Sequence, residues 1–174
     1  MCYNLGAIPT LDPFADASGV GGAKYQWGQK TPILTQQEAS FPPYNTGFPG
    51  WTANVTASTN WQDGVKGLND PCPTGFRIPS ATELQGVSNN NTKSPTSTGS
   101  GGMWLGPYLF LPISGARFIG NGAIGGTSGL YWTTTLSTNG LFAKAFILYN
   151  NSSSFGQLQE EQLNNALSVR CIKE

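Results

Sequence analysis

Asp70-Pro-Cys-Pro-Thr-Gly-Phe-Arg-Ile-Pro-Ser-Ala-Thr-Glu-Leu84 is the stretch whose reading decides the fold. Pro71 and Pro73 on either side of Cys72, followed by Gly75, force an irregular entry. Phe76 to Ile78 reads as a short extended piece, because the residue before a proline is pushed out of the helical region. Ser80 with Glu83 three residues later is a capping box, each side chain satisfying an orphan backbone donor of the other residue. A short helix is therefore predicted from Ala81. It should end near Ser88, since Gly86 is a poor helix former and Asn89-Asn90-Asn91 follows.

Outward from this stretch the chain reads as short extended pieces with long connections. Cys2 to Ala7 alternates Tyr3 and Leu5 against Asn4 and Gly6, which predicts a first strand. Lys24 to Gly28 is short and aromatic, and Tyr25 and Trp27 are expected in the core. Pro32, Pro42, Pro43 and Pro49 leave room for one helical turn at Thr35 to Ala39, and Trp51 to Lys66 reads as a loop plug or an edge strand. Beyond the helix, Asn89 to Gly102 is polar and reads as a loop. Met103 to Ile113, the most apolar run, predicts one buried strand ending at Pro112. The glycines between Ser114 and Ser128 predict tight turns; without a following helix they make no phosphate loop. Leu130 to Thr135 and Leu141 to Tyr149 predict two strands joined through Asn139-Gly140, a strong hairpin signal. Gly156 to Ala166 is polar, and Ala166 to Ile172 predicts a last strand that pairs with the first.

A chain of 174 residues suits one domain, 1–174, with a single sizeable core. Charged residues make up only 10%, far below the usual quarter, so solubility rests on Asn, Gln, Ser, Thr and Gly. Nine basic and nine acidic residues, with no Lys/Arg cluster, give no field to attract a polyanion, and no nucleic-acid partner is expected. No apolar run has the length of a membrane helix, so no direct membrane insertion is expected.

Histidine is absent, which excludes Ser-His, Cys-His and His-metal arrangements. Three scattered cysteines do not make a zinc site. Glu160 and Glu161 are the only adjacent acids, and neighbours on a strand face different ways, which argues against a glycosidase pair or a calcium cage. No catalytic residue, metal or cofactor is expected. Cys2, Cys72 and Cys171 allow at most one intrachain bridge, and buried free thiols are the alternative.

The opening stretch resembles the core motif of the Fibrobacter succinogenes major paralogous domain, a family of bacterial surface and secreted proteins with a C-type lectin-like fold. Further landmarks of that family recur in order along the chain: Asn4-Leu5-Gly6-Ala7, Tyr25-Gln26-Trp27-Gly28, Leu111-Pro112-Ile113-Ser114-Gly115 with Arg117, Gly129-Leu130-Tyr131-Trp132, and Ser168-Val169-Arg170-Cys171-Ile172. The resemblance implies an α+β fold of short antiparallel sheets, few short helices, long loops and paired termini. It implies a location outside the cell or on its surface, as a lipoprotein or secreted protein, or on a phage particle. In the family's pattern Cys72 bridges Cys171 and Cys2 stays free, a bond that needs an oxidising compartment. Cys2 to Cys171 is the rival pairing, because terminal strands of such folds lie side by side. The calcium-sugar tripeptides of carbohydrate-binding C-type lectins are absent. Arg77 to Glu83 is also similar to a segment of formylglycine-generating enzymes, but those work with two neighbouring cysteines in their C-terminal part, where this chain has Cys171 alone. Arg77 and Glu83 are accordingly read as a structural pair.

The resemblance further implies that Leu130 to Ala166 is a displayed segment on a scaffold. Trp132, Phe146, Leu148, Val169 and Cys171 match apolar family positions and are assigned to the core. The residues left for ligand contact are Thr133, Thr135, Ser137, Asn139, Phe142, Lys144, Ile147, Tyr149, Asn151, Gln157, Gln159 and Asn164. They mix aromatic area with short hydrogen-bonding groups, as paratopes do, and Tyr149 and Phe142 are the expected anchors. Variable proteins of diversity-generating retroelements are similar to this family and carry their diversified segment between its last two motifs. Many of the twelve positions hold residues that adenine-directed mutagenesis of Asn codons yields, although the same residue types also fill Thr52 to Asn60 and Ser88 to Ser100. The implied function is non-enzymatic recognition of a protein or glycan on another cell or surface. A structural subunit or tip of a surface fibre or adhesin, with the same face mediating oligomer assembly, is the alternative. A formylglycine-type oxidase is the third class.

Overall fold

The computed structural model describes residues 1–15, 18–36, 51–52, 54–56, 61–96, 101–118, 123–125, 128–149 and 155–174. The helical turn expected at Thr35 to Ala39 lies for the most part outside them. The described chain is mostly β. In chain order come β1 (Tyr25–Gln26), β2 (Phe76–Arg77), α1 (Ala81–Asn89), β3 (Lys93–Pro95), β4 (Gly102–Leu105), β5 (Leu109–Pro112) and β6 (Ala116–Phe118). These are followed by β7 (Ala123–Gly125), β8 (Ser128–Leu136), β9 (Phe142–Tyr149), β10 (Phe155–Gln162), β11 (Ala166–Leu167) and β12 (Ile172–Lys173). They form four small antiparallel sheets, ordered β10-β9-β8, β1-β11-β6-β7, β3-β4-β5 and β12-β2. Among the described residues no helix is long and apolar enough to cross a membrane.

Helix α1 forms where the capping box places it. Ser80 Oγ accepts the Glu83 N–H at 3.2 Å and Glu83 Oε2 accepts the Ser80 N–H at 2.8 Å. A third orphan donor, the N–H of Ala81, is taken by the Thr135 hydroxyl of β8 at 2.9 Å. Arg77 binds the Glu83 carboxylate through two nitrogens, at 2.8 and 2.5 Å, the structural pair that the sequence suggests. Just upstream, the buried Asp70 carboxylate accepts the N–H groups of Cys72 and Ile78, at 2.8 and 2.9 Å, and so fixes the irregular entry.

The three-stranded sheet β8-β9-β10 is the middle layer, buried on two sides. On one side Leu130, Trp132, Ala143, Ala145 and Ile147 pack with Trp27, Trp61, Ile78, Leu167, Val169 and the disulfide. On the other, Tyr131, Phe146 and Leu148 pack under Leu84 of α1 and Met103, Leu105 and Leu111 of β4 and β5. The alternation of β8 and β9 sends successive side chains to these two cores, as the two-residue strand period requires. Tyr25 and Trp27 are in the core, with Trp27 Nε1 donating to the Thr133 carbonyl and Trp132 Nε1 donating to the Tyr25 carbonyl.

Cys72 and Cys171, 99 residues apart, are bridged, and Cys2 is free and exposed. The termini lie together, but not as two strands. Residues 2–7 form no strand: the Leu5 N–H donates to Val169 and its carbonyl accepts from Ala23, so the segment is wedged between two neighbours at one residue. Gly6 and Gly22, both at φ 76°, permit that approach, because a Cβ on either would lie 2.7 Å from a side-chain carbon across the gap.

Other expectations are corrected. Met103 to Ile113 is a hairpin, β4 and β5 turning at residues 106–108, not one strand. The polar segment after α1 contributes β3, paired to β4, and the polar stretch after Gly156 belongs to β10, paired along its length to β9. The last strand is split into β11 and β12, with Ser168 to Cys171 of the terminal motif between them. Trp51 to Lys66 contributes no strand among its described residues beyond an isolated bridge of Gln62 to Val65. The β8–β9 loop closes by a Ser137 N–H to Phe142 carbonyl bond, and only Gly140 takes positive φ, so Asn139-Gly140 is not a two-residue type I′ turn.

Candidate ligand-binding cleft

One face of the middle sheet carries a cleft. At the end of β9 and the start of β8, Tyr149 stands opposite Ser128 and Ile147 opposite Leu130. With Gln159 and Glu161 of β10 and Phe118 of β6 they line a cleft of about 200 Å³. That is smaller than a site for a drug-sized molecule and suits a single side chain or one ring.

The rim is polar. Gln159 Nε2 donates to Tyr149 Oη at 2.6 Å, bridging β10 and β9. Asn165, in the turn after β10, donates from Nδ2 to Glu161 Oε2 at 2.9 Å. Burial pushes the Glu161 carboxyl above its ordinary range, and the Asn165 hydrogen bond opposes that shift in part. Glu160 points to the opposite face, as period two demands, and pairs there with Lys144 at 2.8 Å. Among the described residues no group of three or more Cys, Asp or Glu side chains is placed to hold a metal ion.

Of the twelve residues expected on display, Ile147, Tyr149 and Gln159 line this cleft. Ile147 is 2% exposed and belongs to its floor. Phe142 and Lys144 lie on the other face of β9, so the two expected anchors, Phe142 and Tyr149, do not share a surface. Thr133 is fully buried, its hydroxyl donating to the Lys144 carbonyl, and Thr135 is bound to Asp63 and to the start of α1. Ser137 is buried in the hairpin loop, where exposed Asn139 accepts from its hydroxyl and from the Leu141 N–H. Asn164 is buried, and its carbonyl accepts from Gln26. Gln157 is exposed on β10, and Asn151 lies outside the described residues.

Thr133, Ser137, Ile147 and Asn164 are therefore inside rather than on display. Their polarity or strand phase suits a surface, but a β-bulge in β8 and the loop hydrogen bonds turn the hydroxyls inward. Phe118, Ser128, Leu130 and Glu161 were missed. Given the hairpin register, Ser128 and Leu130 follow from Tyr149 and Ile147 as cross-strand partners, and Glu161 follows from Gln159 by period two. No local signal points to Phe118, which arrives from a separate sheet. No family model matches the chain, and no curated protein or solved structure matches it either.

Proposed function

We propose that the chain is a non-enzymatic recognition domain of the C-type lectin-like kind, related to the Fibrobacter succinogenes major paralogous domain. It binds a protein or glycan on another cell or surface through the β8-β9-β10 face. The observation that carries this reading is a partly polar cleft at the margin of one core, on strands whose opposite face is packed into the other. The Cys72–Cys171 bridge supports a location outside the cytoplasm, and it occupies Cys171, the single C-terminal cysteine where an oxidase reading needs two. Retroelement diversification fits the exposed and half-buried part of the segment, Asn139, Phe142, Lys144, Tyr149, Gln157 and Gln159, better than its buried positions. A near-copy of this stretch of DNA beside a reverse transcriptase gene, differing at adenines, is the result that reading requires.

The test is saturable binding of the labelled domain to intact cells and to a glycan array, set against a Tyr149→Ala/Gln159→Ala variant. Loss of about tenfold or more in affinity is expected, with the melting temperature moved by less than about 3 °C. Undiminished binding by the variant removes the cleft as the site. A second reading, assembly into a surface fibre, draws on β10, which among the described residues pairs only with β9 and leaves its outer edge open to strand addition. Concentration-dependent growth in light scattering, lost when Pro replaces Gln159, is the outcome that favours it.

A further inference from the structure

The charged group in the polar lining of the cleft is a carboxylate. Glu161 contributes a half-buried carboxylate with one oxygen held by Asn165. Gln159 donates one amide hydrogen to Tyr149 and keeps its Oε1 as an acceptor. No cation answers them: Lys144 is turned to the opposite face and bound to Glu160, and among the described residues Glu161 takes part in no ion pair. Phe118, Leu130 and Ile147 supply an apolar floor beneath this rim. A group that fills such a space has an apolar stem and a donor-rich, positively charged tip, the make-up of a lysine or arginine side chain. A sugar hydroxyl brings no charge to a carboxylate that burial has already stripped of part of its water.

We infer that the cleft takes one lysine or arginine side chain presented by a protein partner, an inference that rests on the reading of this face as a binding site. The methylenes lie along Phe118, Leu130 and Ile147. The cationic head meets Glu161, with the ring and hydroxyl of Tyr149 beside it.

The test is an NMR titration of the whole ¹⁵N-labelled domain with three probes: Nα-acetyl-lysine N-methylamide, its norleucine counterpart, and N-acetylglucosamine. The backbone amides of Ser128, Leu130, Ile147, Tyr149, Gln159 and Glu161 are the readout. The lysine probe should shift them saturably, with affinity about tenfold above the norleucine probe and falling as salt is added. Glu161→Gln should cost the lysine probe about tenfold while its spectrum keeps the dispersion of a folded protein. If that variant does not fold, the salt series on the unaltered protein decides, and an affinity indifferent to salt overturns the inference. Equal binding of the lysine and norleucine probes overturns it as well. Saturation by N-acetylglucosamine without the lysine probe overturns the cation and leaves the binding face standing. Silence from all three probes at these amides removes both.

Discussion

Lys24 carries a charge that this fold tolerates poorly. Its ammonium is enclosed, donating to two neutral acceptors, the Ser114 carbonyl at 2.6 Å and Ser168 Oγ at 2.7 Å. Burial, and behind it the Arg117 guanidinium, lower its pKa to about 7. The unfolded chain keeps that proton up to the ordinary lysine value of 10.5. Between about 7 and 10.5 the unfolded state therefore binds more protons than the folded one, and stability rises with pH across that window. Lys24→Met should remove this slope; the Ser114 and Ser168 hydroxyls keep each other as partners, while the Ser114 carbonyl loses its donor, which offsets part of the stability gained at pH 7. Urea midpoints over the pH series check it, and a slope that survives in the variant contradicts it. Nothing in the sequence around Lys24 announces this burial, because its enclosing groups come from positions 90 and 144 residues away.

At the scale of elements, what was legible is what a few neighbouring residues decide. The capping box set the start of α1 because both halves of the bond lie within four residues. The β8–β9 hairpin was legible for the same reason, although its loop chemistry differs. β10 was not: Gly156 to Gln162 carries polar residues on both faces, and only its pairing with β9 makes it a strand. The β4–β5 hairpin was hidden because both arms are apolar and no Asn-Gly or Asp-Gly marks its turn. The cap yields a prediction. The Arg77 hydrogen bond, outweighing burial and aided by Ser80, lowers the Glu83 pKa to about 2. Its stabilisation is present above the ordinary carboxyl value of 4.5 and is lost as pH falls from there toward 2. Glu83→Ala should cost about 1–2 kcal/mol at pH 7, with faster amide exchange at Ser80 and Ala81. The difference from the unaltered protein should shrink as pH falls through that window. A constant difference down to pH 2 contradicts the assignment.

At the scale of the molecule, the landmarks quoted from the sequence converge on one buried network. Asn4 donates to the Gly21 carbonyl and to Tyr131 Oη, and Tyr131 donates to the Pro112 carbonyl. Arg170 donates to the carbonyls of Met1, Cys2 and Phe110, and its neighbour Cys171 closes the bridge to Cys72. The motifs were readable one at a time; these contacts, across 17 to 169 residues, were not. Opening the bridge by Cys72→Ala/Cys171→Ala should cost about 4–5 kcal/mol, because it frees a loop of nearly a hundred residues in the unfolded chain. Thermal unfolding with and without reductant measures that loss, and an unchanged midpoint denies the bridge its role in the frame.

The central claim is that this network is a frame and the cleft a surface it holds out. Two small libraries compare the parts most directly, one randomising Ser128, Tyr149, Gln159 and Glu161, the other Asn4, Asp70, Tyr131 and Arg170. Most cleft variants should fold, each substitution moving the melting temperature by no more than about 2 °C, while most frame variants should not. A cleft library that unfolds as often as the frame library contradicts it.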